Sequence, residues 1–176
     1  MKASVFCGVS VDGFLARPNG ALDFLPAEPE EHGYEAFFAS VDTLVVGRKT
    51  FETVLGFDGW VYGDKRVVVL SSRPIDLSTA LARGGRVEQM GGEPKEIVAK
   101  LAASGAQHLY IDGGITIQRF LRAGAIDRLI VTRVPVLIGN GLPLFGSVAK
   151  DIKLRHVQTR SFPSGLVQSE YEVVAG

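Results

Sequence analysis

Apolar residues fall into short, nearly continuous runs separated by glycine-marked turns, and the runs predict strands. Ala3 to Val9, Thr43 to Val46, Val67 to Leu70, Leu109 to Asp112 and Leu129 to Val134 are rich in Val, Ile and Leu and scarcely alternate with polar residues. Strands covered on both faces, as in a parallel or mixed sheet, have this pattern. Between them apolar positions recur at helical spacing: Tyr34, Phe37, Phe38 and Val41, and again Ile117, Phe120 and Leu121, closed by Gly124. Glu93 to Ser104 predicts a helix with Pro94 at its first position, Ile97, Val98 and Leu101 as its buried stripe and Gly105 just past its end. Strands alternating with helices predict an α/β sheet built from crossover connections.

The last quarter changes character. Lys153 to Thr159 and Leu166 to Val174 are longer and more polar, with Pro163, Ser164 and Gly165 suited to the turn between them. In the second segment Val167, Tyr171 and Val173 point one way and Gln168, Glu170 and Glu172 the other, which predicts a half-exposed antiparallel hairpin at one side of the sheet. No linker or repeat interrupts the 176 residues, so residues 1–176 read as a single domain.

Nineteen basic and nineteen acidic side chains cancel, against nonspecific binding to nucleic acid or to an anionic membrane. No apolar run approaches a membrane span, and the N-terminal apolar stretch is too short and too soon interrupted for a signal peptide. One cysteine, Cys7, cannot form an intramolecular disulfide, and low cysteine use fits a cytoplasmic protein. His32, His108 and His156 lack metal-ligand spacing. No GxSxG nucleophile elbow is present.

What the sequence does show is a series of polar, glycine-marked turns after strands, where an open α/β sheet binds its ligands. Ser10-Val11-Asp12-Gly13-Phe14-Leu15-Ala16 leads into a loop, through Arg17-Pro18-Asn19-Gly20, long enough to act as a flap. Gly47-Arg48-Lys49-Thr50 places two bases and free N–H groups at a helix start, a reasonable anion site. Ser71-Ser72-Arg73 offers two hydroxyls and a guanidinium. Asp112-Gly113-Gly114-Ile115-Thr116 opens an amphipathic helix on a glycine pair, which lets a ligand approach the backbone. Gly139-Asn140-Gly141 marks a loop close to a ligand or another backbone segment. Each also reads as an ordinary turn or capped helix start. Several anion-cradling turns without a nucleophile or metal set suit an enzyme whose hard chemistry belongs to a bound nucleotide cofactor.

Taken in order, Ser10 to Ala16, Asn19-Gly20 with Leu22-Asp23-Phe24-Leu25, Val46 to Phe51, Ser71 to Arg73, Tyr110 to Gly114 and Leu137 to Phe145 resemble the dihydrofolate reductase-like superfamily. The closer likeness is to the branch related to the reductase domain of bacterial riboflavin biosynthesis proteins. The resemblance implies a three-layer α/β fold, with a central mixed eight-stranded sheet flanked by helices and the C-terminal antiparallel hairpin at its side. It implies NADPH as cofactor and a small heterocyclic substrate, as for 5-amino-6-(5-phosphoribosylamino)uracil reductase or dihydrofolate reductase. Carried over to this chain, Gly47, Arg48, Lys49 and Thr50 would hold the adenosine side and pyrophosphate. Ser71, Ser72 and Arg73 would hold the 2′-phosphate and adenine. Gly113, Gly114, Ile115 and Thr116 would hold the phosphates from the other side, and Val9 and Leu15 would flank the nicotinamide. Asp12, Asp23 and Glu28 are the candidate proton donors. Phe24 lies nearest the place of the usual flap tryptophan, and the zinc-binding deaminase set of the riboflavin enzymes is absent from the sequence. An alternative is a nucleotide-binding or regulatory protein of the same fold without reductase activity. The resemblance and the late hairpin also lead us to expect a homodimer.

Overall fold

The structure is a computed structural model that describes residues 1–26 and 31–175. The elements run in the order β1 (Lys2–Ser10), β2 (Phe14–Ala16), α1 (Tyr34–Ser40), β3 (Thr43–Gly47), α2 (Arg48–Leu55), β4 (Arg66–Leu70), α3 (Ser78–Ala82) and β5 (Arg86–Met90). Then come α4 (Pro94–Ala103), β6 (His108–Asp112), α5 (Gly114–Arg122), β7 (Arg128–Val134), β8 (Leu142–Pro143), β9 (Leu154–Ser161) and β10 (Val167–Val173).

Eight strands form one sheet in the order β5-β4-β3-β6-β1-β7-β10-β9, and β2 pairs with β8 in a small separate ribbon. The six strands from β5 to β7 run parallel, while β10 is antiparallel to both its neighbours. Helices cover both faces. Val5, Cys7, Val9, Leu109, Ile111 and Leu129 face Ile97 and Leu101 of α4 and Ile117 and Phe120 of α5. Phe6, Leu44, Val46, Val67, Tyr110 and Ile130 face Phe37 of α1 and Phe51 of α2. Coverage on both sides explains why these strands read as continuous apolar runs. Helix α4 starts on Pro94 behind a reciprocal Glu93–Glu96 capping box.

The final hairpin departs from the expected facing. β10 lies between β7 and β9, and its Gln168, Ser169 and Glu170 are buried while Val167 is exposed. Burial is tolerated because the polar groups are bonded. Gln168 Nε2 donates to Thr132 Oγ1 at 2.9 Å and to the His32 carbonyl at 3.0 Å, and Glu170 accepts from Arg128 at 2.6 Å and Gln158 at 2.9 Å.

The ladder is interrupted at the centre of the sheet. β1 pairs with β7 along its length, from Ser4↔Arg128 to Ser10↔Val134, but with β6 only from Lys2↔His108 to Ser4↔Tyr110. β6 itself stays paired with β3 up to Val46↔Asp112. The centre of the sheet therefore opens between β1 and β6 toward the strands' carboxyl ends. Where they part, the buried Tyr110 hydroxyl donates to the Phe6 carbonyl at 2.9 Å, replacing the ladder partner that the carbonyl lacks.

Candidate active site

The opening lies where ligands bind in open α/β sheets. Strand alternation turns the Gly8 N–H and C=O to the same side as the Phe6 carbonyl, into the gap. Gly8 adds no side chain there, and a β-carbon on it would lie 3.2 Å from Cδ2 of Leu25, the residue that covers this point from the flap. Asp112 ends the opposite strand.

Two helix starts converge beside the gap. Gly47 caps α2 and Gly113 caps α5, neither helix having a side-chain cap, so their first N–H groups are open to a ligand. The turns interlock: a β-carbon on Gly47 would lie 2.8 Å from Thr116 Oγ1, and one on Gly113 would lie 2.5 Å from Thr50 Oγ1. Gly113 also has φ +97°, which side chains rarely adopt. Two helix starts, two threonine hydroxyls and no intervening side chain make a cradle suited to the phosphates of a dinucleotide.

The expected cofactor residues take varied places around it. Arg48 pairs with Glu52 at 2.7 Å, and Lys49 is exposed on the same turn. Ser71 to Arg73 come directly after β4, the neighbour of β3. The Ser71 hydroxyl donates to the Arg73 carbonyl at 2.7 Å and accepts from its N–H at 3.1 Å, and Gln89 Nε2 donates to the same carbonyl at 2.7 Å. That tight turn leaves Ser72 and Arg73 exposed. Leu15 sits over the glycine pair, its Cδ1 at 3.3 Å from where a Gly114 β-carbon would be. Ile115 is 66% exposed. Val9 is 2% exposed and packs in the core, so Gly8 is the β1 residue that borders the opening.

The acids divide by environment. The Asp12 carboxylate bonds to Ser10 and accepts from the N–H groups of Gly139 at 2.8 Å and Ile138 at 3.3 Å, tying the loop after β7 to the end of β1. The Ser10 bond foremost, then those backbone donors, hold it below the ordinary carboxylate range. Arg17 pairs with Asp23 within the flap at 2.6 Å and lowers its pKa likewise. Both are ionised at neutral pH and hold no proton to give. Glu28 lies outside the described residues. Asp112 is the opposite case. The residue is half-buried, and burial of its carboxyl pushes its pKa up against the lowering effect of a 2.8 Å bond from the Gly113 N–H. Burial, and after it the charge on Asp112, raises the pKa of the Tyr34, Tyr62 and Tyr110 hydroxyls, which places these rings within electrostatic reach of it. Cys7 is buried and its thiol pushed up, an inert core group. Reading Asp112 only as part of a turn misses its chemistry. The signal in the sequence is an acid closing a buried apolar strand directly before a glycine pair.

This architecture is that of the dihydrofolate reductase-like proteins. A dihydrofolate reductase from Enterococcus faecalis, in complex with NADP(H), matches with TM-score 0.64 at 18% identity over 98% of this chain and 94% of its own. Residues 2–168 match the RibD C-terminal domain, and the chain belongs to that family. A structure from Shewanella sp. PV-4, of a protein provisionally assigned to riboflavin biosynthesis, matches with TM-score 0.90 at 36% identity over 99% of this chain and all of its own. YwjB of Bacillus subtilis strain 168, itself uncharacterised, is 31% identical over 92% of both chains. A deaminase/5-amino-6-(5-phosphoribosylamino)uracil reductase from Thermotoga maritima matches with TM-score 0.79 at 14% identity, over 98% of this chain and 56% of that one.

Proposed function

We propose that this chain is an NADPH-dependent reductase that passes hydride to a small heterocycle. The observation that carries the reading is the opening between β1 and β6, bordered by the Gly8 backbone, the enclosed Asp112 carboxyl and the paired helix starts at Gly47 and Gly113. When bound, NADPH supplies the hydride. The rest is this chain's work. The N–H groups that open α2 and α5, with Thr50 and Thr116, would hold the pyrophosphate, and Ser72 and Arg73 would hold the 2′-phosphate, the Ser71 hydroxyl being spent on the Arg73 carbonyl. The Gly8 N–H and C=O would hold the nicotinamide amide, and Leu15 and Leu25, which lie beside Gly114 and Gly8, would keep water from it. Asp112 keeps a proton above the ordinary carboxylate range and gives it to the ring atom next to the one reduced.

The test is a fluorescence titration of NADPH, followed by NADPH oxidation over a panel of pterins, pyrimidines and quinones. Binding with turnover on one class supports the reading. Binding without turnover on any member favours a nucleotide-binding protein of the same fold, and absence of binding defeats both.

A further inference from the structure

Helix α5 opens at Gly114 on the cradle and ends at Arg122, about 12 Å away along its axis. After β8 the chain has no regular structure over residues 144–153, and Leu144 and Ile152 of this segment pack against the core on the face that α5 covers. Between this segment, the far end of α5 and β7 lies a cavity of about 510 Å³. The buried Leu121 and Leu129 and the half-buried Ile152 line it, together with Phe145, Val148 and Leu154, which are 50%, 47% and 42% exposed. Ligand cavities of roughly 300–1,000 Å³ have this character: mostly apolar, with a few polar groups that set the charge and orientation of the occupant.

The polar groups at this cavity are Gln118, Arg122, Ser147, Asp151 and Lys153. Gln118 Nε2 is taken by the Pro143 carbonyl at 2.9 Å. Gly146 brings no side chain to the wall. A β-carbon on it would lie 2.5 Å from Gln118 Oε1 and 3.6 Å from Arg122 Nη1, which places the guanidinium against the lining. Among the described residues Arg122, Asp151 and Lys153 have no ion-pair partner. Two cations against one carboxylate leave the rim positive, above an apolar floor. None of the lining residues belongs to the cradle at Gly47 and Gly113 or to the opening at Gly8 and Asp112.

We propose that this cavity is a second binding site, separate from the cradle, for a small molecule with an apolar body and a single negative charge. The body lies on Leu121, Leu129 and Phe145. Arg122 meets the anion, its planar fork being suited to a carboxylate. The site stands whether or not the reductase reading does.

The probes are octanoate and octylammonium, one hydrocarbon chain with opposite charges, titrated calorimetrically into the full chain with and without saturating NADP⁺. Octanoate is expected to bind at one site per chain, about 10-fold or more tightly than octylammonium, the scale of one charged contact. It is expected to bind still when NADP⁺ is present. Arg122 is exposed and outside the reductase machinery, so its variants should fold. Arg122→Lys should keep the preference for octanoate and Arg122→Glu should lose it. Absence of saturable octanoate binding, equal affinity for the two probes or an unchanged preference in Arg122→Glu overturns the proposal. A preference lost in Arg122→Lys as well assigns the effect to local damage and overturns it too. Displacement of octanoate by NADP⁺ would put the anion in the cradle, with the same consequence. Light scattering on the same samples covers the other occupant. A dimer that binds no octanoate and that Arg122→Glu dissociates would give the cavity to a second copy of the chain, against the proposal. The titration without NADP⁺ is complete in itself, so failure of the cofactor reading is told apart from failure of this one.

Discussion

The Tyr110 hydroxyl donates a 2.9 Å hydrogen bond to the Phe6 carbonyl at the point where β1 and β6 separate. Tyr110→Phe keeps the ring and removes the donor. It leaves a buried carbonyl without a partner, at a cost of about 1–3 kcal/mol. Urea unfolding should show a lower midpoint with an unchanged slope. An unchanged midpoint would mean that water replaces the hydroxyl.

Gly113 and Thr50 should fail together. Gly113→Ala combines a φ of +97° with a contact at 2.5 Å, and we expect it to abolish NADPH binding and to destabilise the fold. Thr50→Ala removes the clashing oxygen. The double variant should therefore recover part of the stability lost in Gly113→Ala, and a double-mutant cycle on unfolding free energies measures that coupling. Additive losses would show that backbone strain alone is responsible.

Asp112 gives a pH test whose sign is fixed by its raised pKa. Unfolded, the carboxyl ionises near pH 3.9, the ordinary value, whereas folded it keeps its proton to higher pH. The folded state then binds more protons, so stability falls as pH rises from the unfolded value through the folded one. Asp112→Asn removes this term and leaves an oxygen for the Gly113 N–H. Its melting temperature should exceed that of the parent at pH 8 and converge toward it near pH 4. For a chain of this size 1 kcal/mol corresponds to about 2–4 °C. Turnover on an identified substrate should fall by about 10²-fold or more while NADPH affinity holds, as for a lost general acid.

Arg73 should separate the two nicotinamide cofactors. Its side chain is exposed at a turn held by Ser71 and Gln89. Arg73→Ala should weaken NADPH by about 10- to 150-fold, the worth of one charge-assisted bond, and leave NADH almost unchanged. Equal losses for both would indicate damage to the turn.

We expect a homodimer at micromolar concentration. All eight residues of β9 are exposed, Leu154 and Val157 among them, and such edges tend to be covered. Light scattering giving a mass near 18.9 kDa throughout would refute this.

Strands β1, β3, β4, β6 and β7 are legible in the sequence because burial on both faces writes itself as a continuous apolar run. β5, with Arg86, Glu88 and Gln89, and the five-residue α3 leave no such trace. The facing of β10 escapes the sequence for a different reason. Gln168 and Glu170 are polar by sequence and buried in fact, and their partners Thr132, His32 and Arg128 come from segments far along the chain. The glycine turns at Gly47 and Gly113 can be located singly, yet nothing local says that each is glycine to admit the other's threonine. Asp112 reads as part of a turn, because what makes it an acid of interest is the enclosure that three-dimensional packing supplies.

Because β1 is laddered to β7 along its length and to β6 over only three residues, the middle of the sheet is held from one side. Slow exchange of amide hydrogens for deuterium usually marks central strands, and fast exchange marks edges. Here the Gly8 amide, which faces the gap, sits at the centre of the molecule with the protection expected of an edge. A ligand that fills the gap acts there as the missing strand, and its arrival is written in the exchange rate of a single backbone hydrogen.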